Sequence, residues 1–140
     1  DIANKAIDMR LDDIDRLVIT NPHNAHVKHL NKLTSKVKIK TVYMPDKEDS
    51  YIVAEDMPRE IEIKYYRQGD KFEAEGFELY TYEDVYLKRS VVPIVQVKIE
   101  TNDQSFFYIG AAASEAEVFP EKSDYLWIGD YGPKYKEFMR

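Results

Sequence analysis

The feature that most constrains this chain is a corner near its start. The apolar run Leu17-Val18-Ile19 stops at Thr20-Asn21-Pro22, and Val27, Leu30 and Leu33 then recur every three residues. A short apolar run closed by a turn signal reads as a buried strand, and the recurrence that follows reads as one face of a helix. The loop Asn21–His26 therefore joins the end of a strand to the start of a helix. Ahead of it, Ile2, Ala3, Ala6, Ile7 and Met9 fall near the helical period, so Asp1–Arg10 is expected to be a short helix and Asp12–Asp15 to lead into the strand.

Beyond the corner the period changes. Val37, Ile39, Thr41 and Tyr43 alternate with Lys38, Lys40 and Val42, the pattern of a half-buried strand, and Met44-Pro45-Asp46 ends it. Ser50–Met57 reads as a helix. After Pro58, strands are expected at Ile61–Tyr66, at Phe72–Tyr82 with a turn at Glu75-Gly76, at Val91–Glu100 and at Ser105–Ile109. The last pair reads as a hairpin across Thr101-Asn102-Asp103-Gln104. Ala111–Val118 reads as one or two helical turns, Tyr125–Ile128 as a short buried strand and Lys134–Arg140 as the start of a helix. The order is α/β with a run of strands in the middle. No repeat, low-complexity tract or composition shift marks a linker, so residues 1–140 are expected to form a single domain.

Composition narrows the chemistry. With no cysteine, disulfides, a thiol nucleophile and thiolate metal sites are excluded, and His and carboxylates are left as metal ligands. A formal charge of −6 opposes polyanions, so net charge does not favour nucleic acid. No apolar run approaches the ~20 residues that cross a bilayer, and no membrane insertion by this segment is expected. The chain begins at Asp1 and not at Met, which leads us to expect a processed chain or a fragment of a longer one.

Three separated motifs then carry a family resemblance. Thr20-Asn21-Pro22-His23-Asn24-Ala25-His26 follows a strand, at the corner where metallo-β-lactamase-fold enzymes carry T-H-x-H-x-D-H. Thr20, His23 and His26 match, whereas Asn21 stands at the first His and Ala25 at the Asp. Phe106-Phe107-Tyr108-Ile109-Gly110-Ala111-Ala112 resembles the family's apolar strand ending in Gly-Asp, with Ala111 at the metal-bridging Asp, and Ser114–Glu117 matches the short acidic helix after it. Asp124-Tyr125-Leu126-Trp127-Ile128-Gly129-Asp130-Tyr131-Gly132-Pro133-Lys134 resembles the segment s-D-v-L-k-v-x-H-H-G-S-k of the C-terminal domain of the ComEC DNA-uptake proteins, with Asp130-Tyr131 at the His pair. In order and spacing the chain resembles that domain over nearly all of Leu11–Phe138.

The resemblance implies an α/β fold of metallo-β-lactamase type, an αββα sandwich that here is partial and lacks the usual N-terminal strands and C-terminal end. It also implies a place outside the cytoplasm, beside a membrane channel that imports single-stranded DNA. The substitutions bear on the chemistry. Hydrolysis in this fold needs ions that bring the pKa of a bound water from 15.7 to roughly 7, each ion held by three or more protein ligands. Asn21, Ala25, Ala111 and Tyr131 are the degenerate ligand positions; His23 and His26 survive and Asp130 is a carboxylate substitute. No resident cofactor is expected, and a weak Zn²⁺ on His23, His26 and Asp130 is chemically admissible. The plainer alternative makes both histidines hydrogen-bonding residues of a corner loop.

Lys28, Lys32 and Lys36, spaced by four, make a basic face with Lys38 and Lys40, which is either a set of phosphate contacts or a solvated helix face. Tyr65, Tyr66, Tyr80, Tyr82 and Tyr86 could line a binding surface or pack as core and rim. The expected function is a catalytically degenerate domain with a structural or partner-binding role, covered by a protein partner or a second copy. Its rivals are a metal-dependent phosphodiesterase with a rearranged mononuclear site and a non-catalytic nucleic-acid-binding module that binds weakly.

Overall fold

The computed structural model describes residues 2–67, 69–82, 96–109 and 123–128. It divides into two compact units, Asp1–Tyr66 and Arg67–Arg140. Among the described residues no helix is long and apolar enough to cross a membrane.

The first unit runs α1 (Ile2–Asp8), β1 (Asp13–Val18), α2 (Asn24–Val27), α3 (Leu30–Lys36), β2 (Lys38–Pro45), α4 (Glu48–Glu55) and β3 (Glu62–Tyr66). Its sheet has the order β1-β2-β3, parallel throughout, with Val18 beside Tyr43 and Pro45 beside Tyr66. β2 is expected to be half-buried, but every residue from Thr41 to Pro45 is buried and Val42 and Met44 are 0% exposed. A central parallel strand is covered on both faces, so strict alternation holds only at its start, where Lys38 and Lys40 reach solvent. Burying side chains of this size contributes about 1.5–3 kcal/mol each.

The three-residue spacing of Val27, Leu30 and Leu33 predicts one helix, and the structure splits it into α2 and α3 at Lys28-His29. Three residues turn an α-helix through about 300°, so an unbroken helix would carry Leu33 about 120° away from Val27. The break interrupts that drift, and Val27, Leu30 and Leu33 all pack on one core with Ile19, Val37, Ile39, Val42 and Met44. α1 ends in a Schellman motif: the Leu11 N–H donates to the Ala6 carbonyl and the Arg10 N–H to the Ile7 carbonyl, both at 2.9 Å. The left-handed residue that this motif needs is Arg10, at φ 55°.

The second unit holds β4 (Lys71–Ala74), β5 (Phe77–Tyr82), β6 (Gln96–Glu100), β7 (Ser105–Ile109) and β8 (Tyr125–Ile128), in the order β4-β5-β6-β7-β8. All pairs are antiparallel except β7 with β8. Both expected turns are present. Ala74 faces Phe77 across Glu75-Gly76, where Gly76 takes φ +68°, and Glu100 faces Ser105 across 101–104. The Val91–Val95 part of the expected strand, Ala111–Val118 and Lys134–Arg140 lie outside the described residues.

Across β4, β5 and β6 one face of this sheet is a charged ladder, and the row continues on β7 with buried Phe107. Directly opposed residues share a face, so Lys71, Tyr80 and Lys98 form one row and Glu73, Glu78 and Glu100 the next. Lys98 Nζ lies 2.6 Å from Glu100 and 5.7 Å from the Tyr80 ring centre, while Lys71 contacts Glu73 and sits 5.0 Å from the same ring centre. The opposite face carries buried Leu79, Thr81 and Val97.

Candidate functional site

The corner is built from the last residues of β1 outward. The Ile19 N–H donates to the Tyr43 carbonyl at 2.8 Å, which extends the parallel ladder one residue past the strand. The Ile19 carbonyl accepts a 2.7 Å hydrogen bond from the Tyr66 hydroxyl, which comes from the end of β3, two strands away. Tyr66 is 1% exposed, and burial pushes its phenol far above the ordinary tyrosine range. The chain then turns through Thr20, Asn21 and buried Pro22. Pro22 fixes its own φ and keeps Asn21 out of the helical region. Asn21 Oδ1 accepts the His23 N–H at 3.0 Å, a bond from a side chain to the backbone two residues on that closes an Asx turn. The carbonyls of His23 and Asn24 accept the N–H groups of Val27 and Lys28 at 3.3 and 3.0 Å and open α2.

His23 is exposed at this corner and His26 lies on α2, its side chain outside the described residues, as is that of Ala25. Ala111, Asp130 and Tyr131 also lie outside them. Among the described residues no group of three or more His, Asp or Glu side chains could hold a metal ion. The described part of the corner therefore supplies fewer donors than a structural or catalytic zinc site requires.

Lys28 sits in the turn between α2 and α3, with Lys32 and Lys36 on α3, and all three are exposed. The break leaves Lys32 and Lys36 four residues apart on α3 and places Lys28 in the turn before it. Lys32 also reaches across to α1, where its amine donates to Asn4 Oδ1 at 2.9 Å. Of the tyrosines, Tyr66 is core and not surface. Tyr86 and the Tyr82 side chain lie outside the described residues.

A polar group beside the corner was not singled out from the sequence. Past β2, the Asp46 N–H donates to the Tyr66 carbonyl at 2.7 Å, and the Asp46 carboxylate accepts the Tyr51 hydroxyl. The Tyr51 and Tyr65 rings are 4.8 Å apart, and burial and then the Asp46 charge raise the Tyr65 phenol. Lys47, the next residue, has its amine lowered by burial. The available signal was the turn at Met44-Pro45-Asp46, which locates a strand end but not its partners. These groups lie with the corner at the carboxyl ends of parallel strands, where open α/β sheets bind ligands.

No protein-family model and no curated protein matches the sequence. Solved structures do match. Zn²⁺-bound PqqB from Methylobacterium extorquens superimposes with a TM-score of 0.60 at 18% identity, covering 83% of this chain and 42% of that one. The metallo-β-lactamase fold protein YhfI from Bacillus subtilis gives 0.59 at 14%, covering 81% and 48%. The metallo hydrolase Igni18 from Ignicoccus hospitalis gives 0.51 at 12%, covering 72% and 44%. The first two matches take in more of the chain than either compact unit holds. The chain adopts the metallo-β-lactamase fold, and it spans less than half the length of these structures.

Proposed function

We propose that this chain is a metallo-β-lactamase-fold domain that has given up the dinuclear metal chemistry of its corner and serves a structural or partner-binding role. The observation that carries this is the Asn21 carboxamide. It stands where the corner motif places its first histidine, and it spends its oxygen on the His23 amide. Ala25 and Ala111, at two carboxylate positions of the motifs, add no donor and no charge to hold cations together. The partner is a protein or a second copy of the chain. A link to DNA uptake rests on the three-motif resemblance to the ComEC domain, and nuclease action on DNA is the part of that role the substitutions oppose.

A second reading is a mononuclear hydrolase on His23, His26 and Asp130, since two histidines and a carboxylate form a catalytic zinc set. The Zn²⁺-bound state of PqqB favours it. Elemental analysis of the protein purified without chelator separates the two. Less than one transition-metal ion per chain is expected, and one or more tightly held Zn²⁺ per chain would overturn the first reading in favour of the second.

A further inference from the structure

We infer that Asn21 and Tyr66 brace this corner from within the chain, so that the strand-to-helix turn keeps its shape without an ion. The inference deepens the metal-poor reading above and rests on it. An ion gripped by a corner loop cross-links residues that would otherwise be joined only by flexible backbone. Here two hydrogen bonds take that place. The Tyr66 hydroxyl holds the Ile19 carbonyl at 2.7 Å and fixes where the strand ends, and Asn21 Oδ1 holds the His23 amide at 3.0 Å and fixes where the turn goes next. Pro22 between them stiffens the link.

Both residues suit the task for reasons of reach and chemistry. β3 lies two strand spacings from β1, about 9–10 Å, a gap that an extended tyrosine plus one hydrogen bond spans and that a shorter side chain does not. Phenylalanine would fill the same space and leave the Ile19 carbonyl without this donor. A histidine ligand at position 21 could not supply the brace. An imidazole bound to an ion has given its lone pair to the metal, and its other nitrogen carries a proton, so neither can accept the His23 amide. A carboxamide oxygen accepts that amide readily. The residue at the first ligand position is thus a replacement with a task of its own, not a gap.

The test is amide hydrogen exchange on the full chain, with and without EDTA, in the wild type, Asn21→Ala, Asn21→Asp and Tyr66→Phe. In the wild type the His23 amide should be protected and indifferent to EDTA. Asn21→Ala should speed its exchange by at least about tenfold, the equivalent of losing one hydrogen bond, while the Val42 and Tyr43 amides keep their rates. Asn21→Asp retains an acceptor oxygen and should keep His23 within about threefold of the wild type. Tyr66→Phe should speed exchange at Asn21 and His23 by a smaller factor. Unchanged His23 exchange in Asn21→Ala, or EDTA-sensitive protection in the wild type, would overturn the brace. Stoichiometric zinc found together with a His23 amide that still depends on Asn21 would defeat the metal-poor reading and leave the brace standing.

Discussion

The two units of this chain solve the same problem with different materials. In Asp1–Tyr66 the central strand β2 is buried on both sides from Thr41 onward, and parallel pairing puts every strand's carboxyl end on one edge, where the corner and Asp46 lie. In Arg67–Arg140 the central strands β5 and β6 are apolar on one face and carry Tyr80, Glu78, Lys98 and Glu100 on the other. Parallel crossovers leave a sheet covered on both faces, whereas antiparallel hairpins allow one face to stay polar. The first unit should therefore depend on packing and hardly on acid, and the second should feel acid through its ladder.

The sharpest way to break that contrast is Met44→Ala. It removes a fully buried side chain from β2 and should cost about 3 kcal/mol in chemical denaturation, within the range for large-to-small core changes. A loss below about 1 kcal/mol would mean that the core tolerates a void and that the first unit is not governed by packing.

A smaller effect of opposite sign is expected at Ser50, buried on α4 with no hydrogen-bond partner for its hydroxyl among the described residues. Ser50→Ala deletes an unsatisfied polar group and improves helix propensity, so it should stabilise by about 1 kcal/mol. Destabilisation on thermal melting would reveal a partner for that hydroxyl and a first unit less purely apolar than described.

The smallest effect belongs to the ladder. Lys98, 6% exposed, and chiefly its hydrogen bond, holds the Glu100 carboxyl below the usual carboxylate range. A depressed value means that the unfolded chain binds the proton more readily. The contribution is present above the ordinary Glu value and is lost as pH falls through the depressed one. Because Glu100 is partly solvated, the loss should be modest. Amide exchange on β5 and β6 should quicken as pH drops below about 4, once intrinsic rates are divided out, and Glu100→Gln should flatten that response. An equal acid response on β2 would erase the difference between the units.

How much of this could be read from the sequence depended on the distance over which each feature is determined. The corner was legible because Ile19, Asn21 and Pro22 are neighbours in the chain, and β7 was found at Ser105–Ile109 because its turn and its apolar run are both local. Two-sided burial of β2 was not legible, since the period of Lys38–Tyr43 reflects only the solvated start of the strand. The break at Lys28-His29 was missed because a three-residue spacing fits one drifting helix or two short ones equally well. At the site, the His positions were visible as letters, but the use of Asn21 as an acceptor and the reach of Tyr66 to a carbonyl 47 residues earlier are tertiary facts.

Tyr66 has one more consequence, which is optical. Its phenol is buried, bonded to Ile19 and raised well above the ordinary value, so the folded chain keeps that proton in alkali where an exposed tyrosine gives it up. The unfolded chain releases it near pH 10, so folding loses free energy as pH climbs past that point. The ultraviolet band of phenolate would then carry a late, steep component as the sheet comes apart. The residue that pins the end of β1 thereby makes the first unit report its own opening, with no label added.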